Sequence, residues 1–258
     1  MPGSAAIDAT PDGVRLCGAS GHRADQRGAD RPQRFACDRG AIEVDRDDSL
    51  VVDDGGDAPD QDPGDGRCAT AEARCTLRAA IDELNSHPSG GDITIGAGVD
   101  PTTSDATFDD ANVGGDLDVR TPIGIDGGGA TVDGGGVDRT FHVVSGSLTL
   151  RDLTVTGGAE ASGATGGGIA TAPGTSLVLD GVTVAGNTTS RRGGGVAIGP
   201  FSDAVIVSST ITGNEAGWGA GIFNQAGSLE VRTSTISANT GASGAAIGQG
   251  GGTTDLVY

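Results

Sequence analysis

Short stretches of apolar–polar alternation recur through the second half of the chain, each closed by glycine or asparagine and followed by a glycine run. The copies read SLTLRDLTVTGG (147–158), SLVLDGVTVAGN (176–187), AVIVSSTITGN (204–214) and SLEVRTSTISAN (228–239). Their last residues, Gly158, Asn187, Asn214 and Asn239, are separated by 29, 27 and 25 residues. The glycine runs deliver Ile169, Val196, Ile222 and Ile247, at separations of 27, 26 and 25. A period of this size marks a solenoid in which each repeat stacks on the next.

Counting back from the closing residue, the third, fifth, eighth and tenth positions are mostly apolar: Val184, Val182, Leu179 and Leu177 in the second copy, Ile236, Ser234, Val231 and Leu229 in the fourth. Alternation with period two describes two short inward-facing strands, bent apart where the step widens to three. The GGG-[Ile/Val] element adds a third. Three strands per coil, in register with the next coil, predict an all-β parallel β-helix over 116–258, rising by roughly one strand spacing, ~4.8 Å, per turn. The asparagine column, Asn187, Asn214 and Asn239, is expected to form a structural ladder, because its amides can bond from coil to coil and asparagine tolerates the left-handed backbone of a bend. LDV (117–119), IGI (123–125) and FHV (141–143) form a divergent first member, since Phe141 precedes Ile169 by 28 residues.

Upstream the pattern changes. Residues 1–41 mix charge, Gly and Pro without apolar periodicity and read as a disordered or poorly defined extension. Residues 42–115 read as an N-terminal cap: one or two short strands in IEVDRDDSLVV (42–52), an Asp-rich loop, one helix over 76–86 and the short strand DITI (92–95). The helix rests on Leu77, Ile81 and Leu84 at i, i+4 and i+7 with Ala80 beside them, Thr76 as N-cap and Pro88 as stop. The array breaks off at TTDLVY, where a further strand is due, so a truncated last coil is expected.

Composition narrows the chemistry. All 16 basic residues are Arg, which removes lysine-dependent phosphate clamps and Schiff bases. A net charge of −19 disfavours nucleic acid, anionic membranes and polyanions. No apolar run reaches the ~20 residues of a membrane span, and the first residues lack the basic-then-apolar pattern of a signal peptide.

Cys68-x6-Cys75 followed by TLRAAIDELN resembles the CSLREA-type signature that opens many secreted or surface right-handed β-helix proteins. The GN/AN and GGG-[Ile/Val] repeats resemble those of polymorphic outer-membrane proteins, with Val or Ile in place of the aromatic at Val184–Asn187, Ile211–Asn214 and Ile236–Asn239. The resemblance covers roughly 42–258. It implies a right-handed, pectin-lyase-like solenoid whose N-terminal end is closed by the helix at 76–86, on a protein that is secreted or at the cell surface. Covering that end also hides apolar stacks and unpaired strand edges.

Candidate chemistry is sparse. Cys68 and Cys75 suit a local disulfide in an oxidising compartment; a four-cysteine zinc site lacks any CxxC spacing, and pairing of Cys17 with Cys37 stays open. Asp57, Asp60, Asp62 and Asp65 are weak Ca²⁺ candidates against a solvated acidic loop. Arg151 and Asp180 share one column on neighbouring coils and are the weak catalytic candidates for a lyase or glycoside hydrolase, against a surface ion pair. His142 faces outward beside Phe141 with no acidic neighbour in sequence, and His22 sits in the extension. The glycine run at 127–129 reads as a turn and not as a nucleotide loop, and Asn187-Thr188-Thr189 is a formal glycosylation sequon. Trp218 and Phe223 flank a glycine turn as a small sugar-stacking spot, with a packing role for Phe223. The leading expectation is a non-catalytic surface or extracellular module for adhesion, carbohydrate contact or scaffolding, with a polysaccharide or cell-surface partner, no cofactor beyond an optional Ca²⁺, and self-association through the edge of the last coil. The alternative is a polysaccharide lyase or glycoside hydrolase.

Overall fold

A computed structural model describes residues 49–104, 110–160 and 163–257, with the backbone of an antiparallel pair joining Thr10–Pro11 to Ala36–Cys37. The reading of residues 1–41 as an extension, with Cys17 and His22, otherwise lies outside the described residues, as does the Cys17–Cys37 question.

The chain winds into a parallel β-solenoid of about five turns. Its largest sheet holds eight strands: Ser49–Val52, Gly91–Ile95, Pro122–Asp126, Ser147–Arg151, Ser176–Asp180, Asp203–Val207, Ser228–Arg232 and Thr253–Val257, stacked in chain order. Residues 49–52 and 91–95 thus belong to the same sheet as the repeats and pair in register with them. A second sheet stacks the three-residue strands from Thr131–Asp133 to Thr235–Ser237, and a third those from Leu117–Val119 to Ile247–Gln249. Inward residues repeat at each rung. Leu150, Leu179, Ile206 and Val231 form one buried column, and Phe141, Ile169, Val196 and Ile222 another. Burying such side chains stabilises by ~1.5–3 kcal/mol each.

Four of the coils carry a fourth strand beyond the three expected: Ala159–Glu160, Thr188–Thr189, Glu215–Trp218 and Thr240–Ser243 form their own parallel sheet. This segment has no apolar alternation to announce it. It pairs because the corner just before it is already locked in register.

That lock is the asparagine column. Asn214 Oδ1 accepts from both the backbone N–H and the side-chain Nδ2 of Asn187, each at 3.0 Å. Asn239 Oδ1 does the same for Asn214, at 3.0 and 2.9 Å. The second amide hydrogen reaches back to a strand carbonyl, Val155 for Asn187 and Val184 for Asn214. The bend itself is made one residue earlier than expected. Gly157, Gly186, Gly213 and Ala238 have φ of 66°, 68°, 64° and 53°, whereas no asparagine of the column has positive φ. Asparagine is used here for its amide.

The helix is Leu77–Asn85, with Thr76 Oγ1 accepting from the Ala79 N–H. It packs on Ser49–Val52 and Leu117–Val119, the edge strands of two sheets, so it covers that end of the solenoid. Cys68 and Cys75 form a disulfide just before it.

The glycine runs are needed because neighbouring coils approach too closely for a side chain. A Cβ on Gly195 would lie 2.6 Å from the Gly221 carbonyl oxygen and 3.0 Å from Asn214 Nδ2. Gly195→Ala is therefore expected to lower unfolding free energy by ~1–3 kcal/mol. Ala238→Gly, which relieves a left-handed alanine, should raise it by up to ~1 kcal/mol. Denaturant melts of the two variants check both signs.

Candidate functional site

The polar residues of the cap are organised around one buried arginine. Arg78 lies on the helix, 1 % exposed. Its Nε donates to Asp57 Oδ1 at 2.7 Å, and its two Nη atoms donate to the carbonyls of Gly115 and Asp116 and to Asn112 Oδ1. A planar fork of five donors is suited to gathering carbonyls from one loop in this way. Asn112, at φ 59°, is held from its other side by Asp82 Oδ1, which accepts from Nδ2 at 2.8 Å.

The acidic loop is knitted to the same framework. Asp60, 8 % exposed, accepts from the N–H groups of Asp62 and Ala69. Glu83 accepts from Gly64 and Gly66, and Asp53 Oδ1 from Cys75 N–H. Asp57 is taken by Arg78 and Ser104, while Asp62 and Asp65 point to solvent. Among the described residues no three of the four Ca²⁺ candidates place their carboxylate oxygens within metal-ligand reach of one another.

A second polar group sits where the cap meets the first coil. Asp118 and His142 are register partners on adjacent strands and share their outward face. The acidic neighbour that His142 lacks along the chain is supplied by the coil beneath, 24 residues earlier. His142 Nδ1 lies 3.1 Å from Asp110 Oδ1 and 3.3 Å from Asp118 Oδ1. Asp118 is fully buried, and its other oxygen accepts from Asn112 N–H at 2.9 Å. Beside it, buried Asp116 pairs with Arg139, and Asp138 caps the Arg139 N–H at 2.7 Å. Burial pushes the Asp116 carboxyl up to about 7; the Arg139 charge opposes this, and the like charges of Asp118 and Asp138 add to it. Burial likewise raises Asp138, with the nearby charge of Glu160 contributing in the same direction. In the cap, burial raises Asp82 to about 6 against the Asn112 hydrogen bond.

Glu160 leads into an open groove of about 600 Å³ along the fourth sheet. Its floor is a register column, Ala159, Thr188, Glu215 and Thr240, flanked by Thr189, Ser190 and Gly217. Thr188, Glu215 and Thr240 are exposed. Hydroxyls and carboxylates thus line a trough parallel to the stacking direction, at intervals of ~4.8 Å. One residue past Gly217, Trp218 packs on Phe223 with ring centroids 5.0 Å apart, and Arg192 lies over both rings. Phe223 is buried and packs; Trp218 is only half-buried.

Arg151 and Asp180 are register partners, and both are exposed on the outer edge of the largest sheet, away from the groove. Among the described residues no helix is long and apolar enough to cross a membrane. Comparison of the chain with family models, with curated proteins and with solved structures gives no match.

The raised acids set a pH dependence. Asp82 and Asp116 bind protons more tightly folded than unfolded, so their contribution is complete below about pH 4, the ordinary aspartate value. It is lost as pH rises through about 6 and then about 7. Unfolding free energy from urea melts at pH 5 should exceed that at pH 7.5, and Asp116→Asn should flatten the upper part of the slope.

Proposed function

We propose that this chain is a non-catalytic β-solenoid module, extracellular or at the cell surface, that holds a polysaccharide along its fourth sheet. The carrying observation is the groove of about 600 Å³ whose exposed Thr188, Glu215 and Thr240 repeat at each rung. A repeating ladder of hydroxyls and carboxylates matches a repeating polymer of hydroxyl groups. Net charge −19 favours a neutral or cationic glycan over a uronate polymer. The disulfide Cys68–Cys75 and the CSLREA-type resemblance of its flanking sequence support an oxidising, extracellular setting.

The buried acids do not support the lyase or hydrolase alternative. Asp116 and Asp118 have no exposed surface and are held by Arg139 and Asn112, out of reach of a polymer in the groove. Arg151 and Asp180 stand on another sheet.

Affinity electrophoresis through gels of neutral and uronate polysaccharides tests the reading. Retardation is expected by at least one neutral polymer, with weak dependence on salt, or by an amino-sugar polymer, where it falls as salt rises. Thr188→Tyr, which fills the groove from an exposed position, should weaken it by about tenfold or more. Lack of retardation by any such polymer would contradict the proposal. Release of reducing or unsaturated ends that disappears in Asp180→Ala or Glu160→Gln would replace binding with catalysis.

A further inference from the structure

We propose that Asp110, Asp118 and His142 form a binding site for a divalent transition-metal ion of the zinc class. Two buried polar atoms without a hydrogen-bond partner, Asp118 Oδ1 and His142 Nδ1, face one another there. The Asp118 side chain is fully buried, so its free oxygen is shielded from bulk water and calls for a partner within the site. The nearby arginines are engaged elsewhere: Arg139 on Asp116, Arg78 on Asp57 and on loop carbonyls, and Arg120 on the backbone carbonyl of Asp110.

The spacing fits coordination. Bonds of ~2.0–2.2 Å place ligand atoms about 3.0–3.5 Å apart at angles between octahedral and tetrahedral. His142 Nδ1 is 3.1 Å from one carboxylate oxygen and 3.3 Å from the other, and all three ligand atoms lie within 4.8 Å of one another. The imidazole is hydrogen-bonded to neither oxygen despite those distances. An ion at the centre gives each lone pair a partner. Two carboxylates and a neutral imidazole balance a divalent charge, which removes the cost of a buried carboxylate.

Asp118 is itself held in place by Asn112. Asn112 donates its N–H to Asp118 Oδ2 at 2.9 Å, and its side-chain oxygen accepts from the Asp118 N–H at 3.0 Å. This grip turns Oδ1 towards His142, as outer-shell partners of metal ligands do. Asp110 approaches from the solvent side, its side chain 67 % exposed, which provides an entry path and leaves remaining positions to water. One nitrogen and two carboxylate oxygens suit Zn²⁺, Mn²⁺ or Fe²⁺; Ca²⁺ asks for six to eight oxygens, more than this corner offers.

Zn²⁺ alone is the probe, titrated calorimetrically into the untagged full chain. One equivalent is expected to bind, undiminished by excess Ca²⁺. The chain has 3 histidines, so ¹⁵N-histidine spectra resolve which ring responds; the Nδ1 of His142 should move on Zn²⁺ addition. Asp110→Asn alters an exposed side chain and leaves the core intact, and should weaken Zn²⁺ at least about tenfold; Asp118→Asn should do the same. Absence of one-equivalent binding would overturn the proposal. So would Zn²⁺ affinity unchanged in Asp110→Asn, or a response confined to the other two histidines.

Discussion

Every coil of this solenoid must return to the same place one strand spacing further on. The Asn187–Asn214–Asn239 amides enforce that return. The side-chain oxygens of Asn214 and Asn239 each accept two N–H groups from the coil before, and that of Asn187 accepts the Gly158 N–H, in a position shielded from bulk water, since Asn187 and Asn214 are at most 1 % exposed. A buried amide with unmade bonds costs ~1–3 kcal/mol, so a slipped register is penalised at every rung. The glycine runs are the other half of the constraint. They let backbones touch at a corner where a Cβ would lie 2.6 Å from the next coil's carbonyl. With the corner fixed, segments of indifferent sequence pair as well, which is how the fourth sheet and its groove arise.

The end of the stack faces a different problem. Apolar columns and strand edges have to stop, and the chain stops them with a helix that is buried on most of its sides. Burial of Arg78 and Glu83 on that helix is tolerated because loops bring their polar backbone to them: Arg78 collects carbonyls from 112–116, and Glu83 collects N–H groups from Gly64 and Gly66. The acidic loop, which contributes to the charge of −19, is thus largely internal wiring of the cap.

Much of this architecture is legible in the order of residues. Period-two alternation identifies the strands at 176–180 and 183–185, and the closing asparagines identify the corner, because in a solenoid sequence spacing maps directly onto spatial stacking. The left-handed residue lies one position before the asparagine, because Gly186 and Gly213 take the backbone turn and leave the amide to the ladder. The fourth sheet is invisible to apolar periodicity because its pairing comes from neighbouring corners. His142 is the instructive miss. LDV (117–119) stacks on FHV (141–143) as the regular copies stack on one another, which places Asp118 opposite it. The third partner, Asp110, arrives from a loop whose path no periodicity encodes.

The proposed binding along the groove presupposes that the ladder holds successive coils in register. Hydrogen exchange of the asparagine amides interrogates that most directly. The account predicts that the backbone and Nδ2 protons of Asn187 and Asn214 exchange only by global unfolding, with protection matching the denaturant-derived stability. Exchange of those protons at the rate of an unprotected, solvent-exposed amide would contradict it.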